Sequence, residues 1–399
     1  MILRPIINSL LENDLYKFSM GQCIFHQFAD YSTTWAFKNR DWKTTGRYTP
    51  EMVDEIREQV RHYASLRFTE DELNYLRSIP WIKSAYVDFL RFWHPRLEEI
   101  TIETTDENDC GLKIRTRGSW LNTSMYEVPL LAIVNEVQMR LRPDYEANKQ
   151  CAINVADDTL YEASYKPIGT FSEFGMRRRF TSEIQSWVVG RMAGTSGFVG
   201  TSNVFLAKKY GVKPVGTMAH EFAMCVGQGT PGWDPAYSNK FMLDAWVREY
   251  GVENGIALTD TIGLDCFLLD FNKAFATLFN GVRHDSGDPV EWGNRMIGHY
   301  NLLGIDPATK TLLFSDSLDF NKARMLNNEF KDQIKVAFGI GTFIANPSPV
   351  KPNIVMKVVE CNGTPVAKIS DSPGKSMCES QEYIDYLKRA IDWRVAHGR

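Results

Sequence analysis

The sequence predicts an α/β fold, a (β/α) barrel preceded by a smaller α+β domain. Three observations carry this. From about residue 197 onward, short apolar runs alternate with helix-like segments, the rhythm of a parallel sheet. Before residue 126, strands and helices are mixed without that rhythm. Polar clusters follow one predicted strand after another in the second half, the way a barrel gathers a pocket at the C-terminal ends of its strands.

The first domain is predicted over residues 1–125. Residues 9–29 carry apolar side chains at helical spacing, with Tyr16 and Lys17 near the start. Residues 33–38 alternate as a strand and end in the polar turn Asn39-Arg40-Asp41. Helices are predicted over 50–65, 69–78 and 80–95, and Thr69 with Glu72 fits a capping box. Strands at 100–104 and 111–117 are joined by a turn at 107–111.

The second domain is predicted over 126–399. A long apolar helix at 126–140 opens it. Residues 169–175 read as a loop, followed by Arg177-Arg178-Arg179 and a helix over about 181–193. Strands fall near 197–200, 212–217, 255–259, 279–283, 311–315 and 334–338. Helices fall near 202–210, 236–250, 289–303 and 319–329. The tail predicts a hairpin over 353–369 and a helix over 379–396.

Bulk properties narrow the function. The chain is 44% hydrophobic and 24% charged, enough apolar material for a large core. A net charge of -4 gives no electrostatic support for nucleic-acid binding. The seven cysteines form no C-x-x-C pair, which predicts reduced thiols and a cytoplasmic location, with neither disulfide framework nor zinc site. No signal peptide and no membrane-length apolar run are expected.

The stretch Gly216-Thr217-Met218-Ala219-His220-Glu221-Phe222 presents one imidazole after a strand, either as a core histidine or as a pocket group. His220-Glu221 begins like H-E-x-x-H, but Met224 takes the last position, so no zinc site and no metal ligand set is predicted. Gly227-Gln228-Gly229-Thr230-Pro231-Gly232 matches G-x-G-x-x-G. No strand precedes it, however, and Pro231 breaks any following helix, so it reads as a turn.

Arg283-His284-Asp285-Ser286-Gly287-Asp288-Pro289 is both a capped helix start and a candidate anion site. Phe338-Gly339-Ile340-Gly341-Thr342 offers backbone N–H groups to a phosphate monoester, and Ser315-Asp316-Ser317 offers polar groups to a ribose. Arg177-Arg178-Arg179 is a solvated basic face or a pyrophosphate clamp, and Phe174 could stack an aromatic ring. Together the loops ask for a ligand with phosphates, a sugar and an attached ring.

These motifs resemble the nicotinate phosphoribosyltransferase family. The resemblance runs through Leu11-Glu12-Asn13-Asp14-Leu15-Tyr16-Lys17, Glu173-Phe174-Gly175-Met176-Arg177, Gly200-Thr201-Ser202-Asn203, the His220 turn, Thr259-Asp260-Thr261, the Arg283 loop and the Gly339 loop. It implies a type II phosphoribosyltransferase with an irregular α/β barrel and an N-terminal α/β domain, assembled as a homodimer with shared sites. The implied reaction joins nicotinate to phosphoribosyl pyrophosphate, coupled to ATP hydrolysis, with Mg²⁺ accompanying the phosphates and His220 transiently phosphorylated.

The residue roles also follow from the resemblance. Arg177 and Arg283, with Arg40 from a neighbouring subunit, would neutralise pyrophosphate. Asp285 would position ribose or Mg²⁺, and Asp260 is a second acid of the same ring of loops. Phe174 and Tyr16, the latter from the neighbouring subunit, would sandwich the pyridine. Gly339, Gly341 and Thr342 would hold the 5′-phosphate, with Lys357 a further phosphate ligand. Ser202 stands where the related nicotinamide enzyme carries an acid, so nicotinate is expected over nicotinamide. The alternatives are a phosphoribosyltransferase for nicotinamide or quinolinate and a non-catalytic nucleotide-binding barrel. The second has no use for a phosphorylatable imidazole.

Overall fold

A computed structural model describes residues 4–106, 109–371 and 378–398. The strands in chain order are β1 (Ser32–Asn39), β2 (Ile100–Thr104), β3 (Leu112–Ser119), β4 (Thr170–Glu173), β5 (Phe198–Thr201) and β6 (Lys213–Pro214). They continue with β7 (Ile256–Leu258), β8 (Gly281–His284), β9 (Thr311–Phe314), β10 (Lys335–Ile340), β11 (Ile354–Cys361) and β12 (Thr364–Pro365).

Seven strands form one parallel sheet in the order β6-β5-β4-β10-β9-β8-β7. β6 and β7 are its two edges, so the barrel stays open at one seam. The sheet is nevertheless curled, because residues that follow β6 and residues that follow β8 line the same cavity. This is the irregular barrel the sequence implies. Its strands β8 and β9 are buried on both faces, as helix-covered parallel strands are. β8 is the instructive case, since its fully buried run Gly-Val-Arg-His carries two polar side chains into the interior.

A second, antiparallel sheet has the order β12-β11-β1-β3-β2. β1 lies between β3 and β11, pairing Ser32 with Ser119 on one side and Asn39 with Ile354 on the other. The tail of the chain therefore completes the sheet begun by its first strand.

Several elements differ from expectation. The predicted loop at 169–175 contains β4, which sits between β5 and β10 in the sheet. A helix at Tyr145–Tyr165 was not expected; its buried stripe is Asn148, Ala152, Ala156, Thr159, Leu160 and Ala163, too small and polar to stand out. The strand near 212–217 shrinks to two residues, and helix 80–95 to Ser84–Leu90, between Pro80 and Pro95. Of the predicted return strand 365–369, only Thr364–Pro365 pairs with β11. The chain then crosses toward the parallel sheet, where the Ile369 amide donates to the Thr261 carbonyl (2.8 Å). Residues 107 and 108 of the predicted 107–111 turn lie outside the described residues. The Thr69 capping box is present as read, with Thr69 and Glu72 satisfying each other's backbone amides.

Candidate active site

The C-terminal ends of the parallel strands open into one cavity of about 620 Å³. The antiparallel sheet closes it from the other side through Trp35 of β1 and Val355, Met356, Lys357 and Val358 of β11. Every predicted site residue lines this cavity except Asp260. Asp260 lies directly behind it, in contact with His220.

His220 opens a short helix, His220–Ala223, that runs into a π-turn at Met224–Gln228. Gly216 makes the preceding turn possible. A Cβ there would lie 2.7 Å from the backbone nitrogen of Tyr16, so only glycine lets the turn lie against the start of helix Leu15–Gln27.

The imidazole Nε2 is 2.9 Å from Asp260 Oδ1 and 3.5 Å from Asp285 Oδ2. Lys368 lies 2.8 Å from Asp260 Oδ2 and 3.5 Å from Asp285 Oδ2. The Ser286 hydroxyl also donates to Asp260. Burial, and then the Lys368 ammonium, hold the imidazole pKa down to about 4, against the opposing pull of the two acids. Burial works against ionisation of Asp260 and Asp285. The facing His220 and Lys368 outweigh it, keeping Asp260 well below the usual carboxylate range and, with Arg283, bringing Asp285 to about 2. The ring is therefore neutral at pH 7 and donates Nε2–H to Asp260, which leaves the Nδ1 lone pair free as a nucleophile.

His220, Asp260 and Asp285 bring ligand atoms within 4.8 Å of one another. They do not fit a resident metal ion, because the Lys368 ammonium already supplies the cation between the two carboxylates. Asp285 accordingly serves His220, Lys368 and the Ser315 hydroxyl (3.2 Å).

The cavity lining includes Phe174, Tyr16 and Arg177. Gly339 is needed there for packing: a Cβ would lie 2.4 Å from the Phe174 ring, so its missing side chain seats the phenyl group. The Tyr16 hydroxyl is buried and has no hydrogen-bond partner. Arg177 Nη1 reaches Glu127 Oε1 at 3.2 Å, and Glu127 also holds the buried Lys17 (2.7 Å), which pairs in turn with Glu221. Ser202 donates its hydroxyl proton to Asp14 Oδ1 at 2.6 Å. Ser202, expected to favour nicotinate by standing where the nicotinamide enzyme carries an acid, thus has the Asp14 carboxylate beside it. Burial raises the Asp14 pKa to about 6, offset in part by Arg177 and Ser202.

The cavity lining also carries the cations Arg40, Arg178, Arg283, Lys351 and Lys357. Arg283 donates to the Thr217 hydroxyl at 2.6 Å while its Nε remains buried and unpartnered. Burial lowers Lys357 to about 8. Gly341 and Thr342 line the cavity where β10 ends, at the start of helix Thr342–Ala345. Within the arginine run, Arg177 and Arg178 both line the cavity, Arg178 also donating to Asn353 and to the Ile354 carbonyl, while Arg179 is buried against Glu12 at 2.8 Å. The run is not a solvated face. Tyr16 and Arg40, expected from a neighbouring subunit, line the cavity of the chain that carries them.

Sequence reasoning missed Lys368, Asp14 and Glu127. Asp14 could have been found, since it precedes Tyr16 within the same motif. A lone lysine in a tail hairpin carries no comparable signal.

A curled parallel sheet whose strand ends converge on an imidazole, an aromatic seat and a cationic wall defines an α/β-barrel enzyme that handles phosphorylated substrates. Residues 170–394 match the nicotinate phosphoribosyltransferase (NAPRTase) family, and residues 11–135 match the N-terminal domain of that family. The chain belongs to the nicotinate phosphoribosyltransferase family and is an enzyme of it. The nicotinate phosphoribosyltransferase of Escherichia coli K12 is 43% identical, covering 97% of this chain and 96% of its own. The crystal structure of nicotinate phosphoribosyltransferase from Vibrio cholerae superposes with a TM-score of 0.87 at 36% identity, over 97% of this chain and 94% of that one. That of the Porphyromonas gingivalis protein gives 0.88 at 32% identity, over 97% and 100%.

Proposed function

We propose that this enzyme joins nicotinate to phosphoribosyl pyrophosphate, releasing nicotinate mononucleotide and pyrophosphate for NAD synthesis, and couples the reaction to ATP through a phosphate carried on His220. The observation that carries this reading is an imidazole held at Nε2 by Asp260, with no hydrogen bond to Nδ1 among the described residues, lining a cavity that also holds Phe174, Tyr16 and a set of cations.

His220 Nδ1 attacks the γ-phosphorus of ATP. The bond to the bridging oxygen breaks and ADP leaves; hydrolysis of the N–P bond later returns the free imidazole and inorganic phosphate. In the transfer step the pyridine nitrogen attacks the anomeric carbon as the bond to pyrophosphate breaks. Negative charge grows on the leaving group, where Arg283, Arg40 and Lys357 stabilise it. Mg²⁺ enters as part of the substrates, screening their phosphates.

The unpartnered Tyr16 hydroxyl and Arg177 favour a carboxylate on the ring, because each is a donor in want of an acceptor or able to share one. Nicotinate over nicotinamide therefore rests on these two and not on Ser202. The described residues contain no helix long and apolar enough to cross a membrane, and their seven cysteines are free thiols, which supports a cytoplasmic enzyme. The proposed homodimer would hold a complete set of lining residues in each copy.

The test is labelling with γ-phosphate-labelled ATP. An acid-labile, base-stable phosphate is expected, absent from His220→Ala, which keeps some uncoupled transfer. No label under any substrate condition overturns the ATP-coupled reading. Steady-state turnover of nicotinamide as good as that of nicotinate overturns the assigned substrate.

A further inference from the structure

Lys368 is built into place from both sides. The Ala367 amide donates to Gln228 Oε1 (2.7 Å), and Gln228 Nε2 donates back to the Ala367 carbonyl (2.8 Å). Gln228 ends the π-turn that continues from the His220 helix. On the other side the Ile369 amide bonds to the carbonyl of Thr261, next to Asp260. The lysine is thus fastened through its neighbours to the element that carries the imidazole and to the loop that carries its hydrogen-bond acceptor. Its side chain is nearly buried and touches both acids that face the ring.

Two carboxylates on one side of an imidazole N–H favour the imidazolium, which has no lone pair to offer phosphorus. The charged groups facing the ring are Asp260 after β7, Asp285 after β8 and Lys368 after β12. Glu221, the next residue, is engaged with Lys17, and Arg283 bonds Thr217 beyond Asp285. One cation therefore faces two anions around the ring, and it touches both.

We propose that Lys368 is a positioning residue for phosphoryl acceptance: by pairing with Asp260 and Asp285 it keeps His220 unprotonated and its Nδ1 available. This rests on the phosphohistidine reading above. The direction of the His220 shift, with the Lys368 ammonium as its second cause after burial, agrees with the geometry.

The experiment measures the initial rate of phosphoenzyme formation from ATP between about pH 3 and pH 8, a range that brackets a wild-type midpoint of about 4, for wild type, Lys368→Gln and Lys368→Arg. The His220 imidazole pKa is read in parallel by NMR. In Lys368→Gln the pH midpoint for labelling and the imidazole pKa should both rise by about one unit or more, with a labelling rate about tenfold lower below the new midpoint. Lys368→Arg, which keeps the charge, should return the midpoint to the wild-type value. A labelling rate reduced by the same factor at every pH, with the imidazole pKa unmoved, overturns the proposal. If Lys368→Gln does not fold, the imidazole pKa in Lys368→Arg decides: it must stay at the wild-type value, and a rise of a unit with the charge retained overturns the proposal. Wild-type enzyme that takes no label defeats the phosphohistidine reading itself. Wild type that labels while Lys368→Gln labels identically across the range defeats only the role given to Lys368.

Discussion

Arg283 shows what a single side chain does here. It leaves a fully buried strand, spends one donor on Thr217 and keeps Nε buried without a partner. A buried donor left unmatched costs on the order of 1–3 kcal/mol, which a bound oxyanion would recover. Arg283→Ala should therefore raise the KM for phosphoribosyl pyrophosphate by about tenfold or more, measured in steady state. An unchanged KM removes it from the substrate's phosphate or sugar contacts. Asp14 makes a second prediction. Its folded pKa of about 6 lies above the ordinary 3.8, so the folded state holds a proton that the unfolded chain releases, and stability falls as pH rises between those values. Asp14→Asn removes that slope. Its stability relative to wild type should increase by about 2 kcal/mol between pH 4 and pH 7 in urea unfolding. A difference that stays flat with pH would sink the assignment.

At the scale of elements, the close approach of the Gly216 turn to helix Leu15–Gln27 links the turn before His220 to Tyr16. Gly216→Ala must push the helix start, and with it Tyr16, away from the cavity. The expected outcome is a KM for nicotinate raised by about threefold or more and a lowered Tm, since overpacking costs about 1–3 kcal/mol. An unchanged KM with a lowered Tm would show that Tyr16 does not touch the ring. Elements were legible from sequence where chemistry and pattern agree. Thr69 and Glu72 announced their helix start because both halves of the capping box are local. β4 was not legible, because Thr-Phe-Ser-Glu is short and mostly polar and becomes a strand only by filling the place between β5 and β10. Likewise the cavity's strand-end loops were readable from their polar residues, whereas Lys368 depends on a crossing of the tail that no local pattern encodes.

On the scale of the molecule, the chain returns to its beginning. β1 is flanked by β3 and by β11, which joins from more than three hundred residues later. Such a pairing carries a large loop-closure cost and forms late unless other contacts bring the ends together. A fragment of residues 1–125 would expose the edge of β1 that β11 covers. It should be unfolded or aggregated by circular dichroism and size-exclusion chromatography. A soluble, cooperatively folding fragment would show that the N-terminal sheet does not need its C-terminal strand.

The open seam between β6 and β7 has a consequence for how this site can change. In a closed barrel, ladder bonds on both flanks would fix the segment that bridges the first and last strands. Here that segment, which carries His220, spans the gap between two free edges. Its place is set by packing instead of ladder bonds: Gly216 lies against the start of helix Leu15–Gln27, and Gln228 is tied to Ala367. Arg283, by contrast, lies on a strand paired on both sides. A change that loosens those packing contacts would move His220 while leaving Arg283 in register.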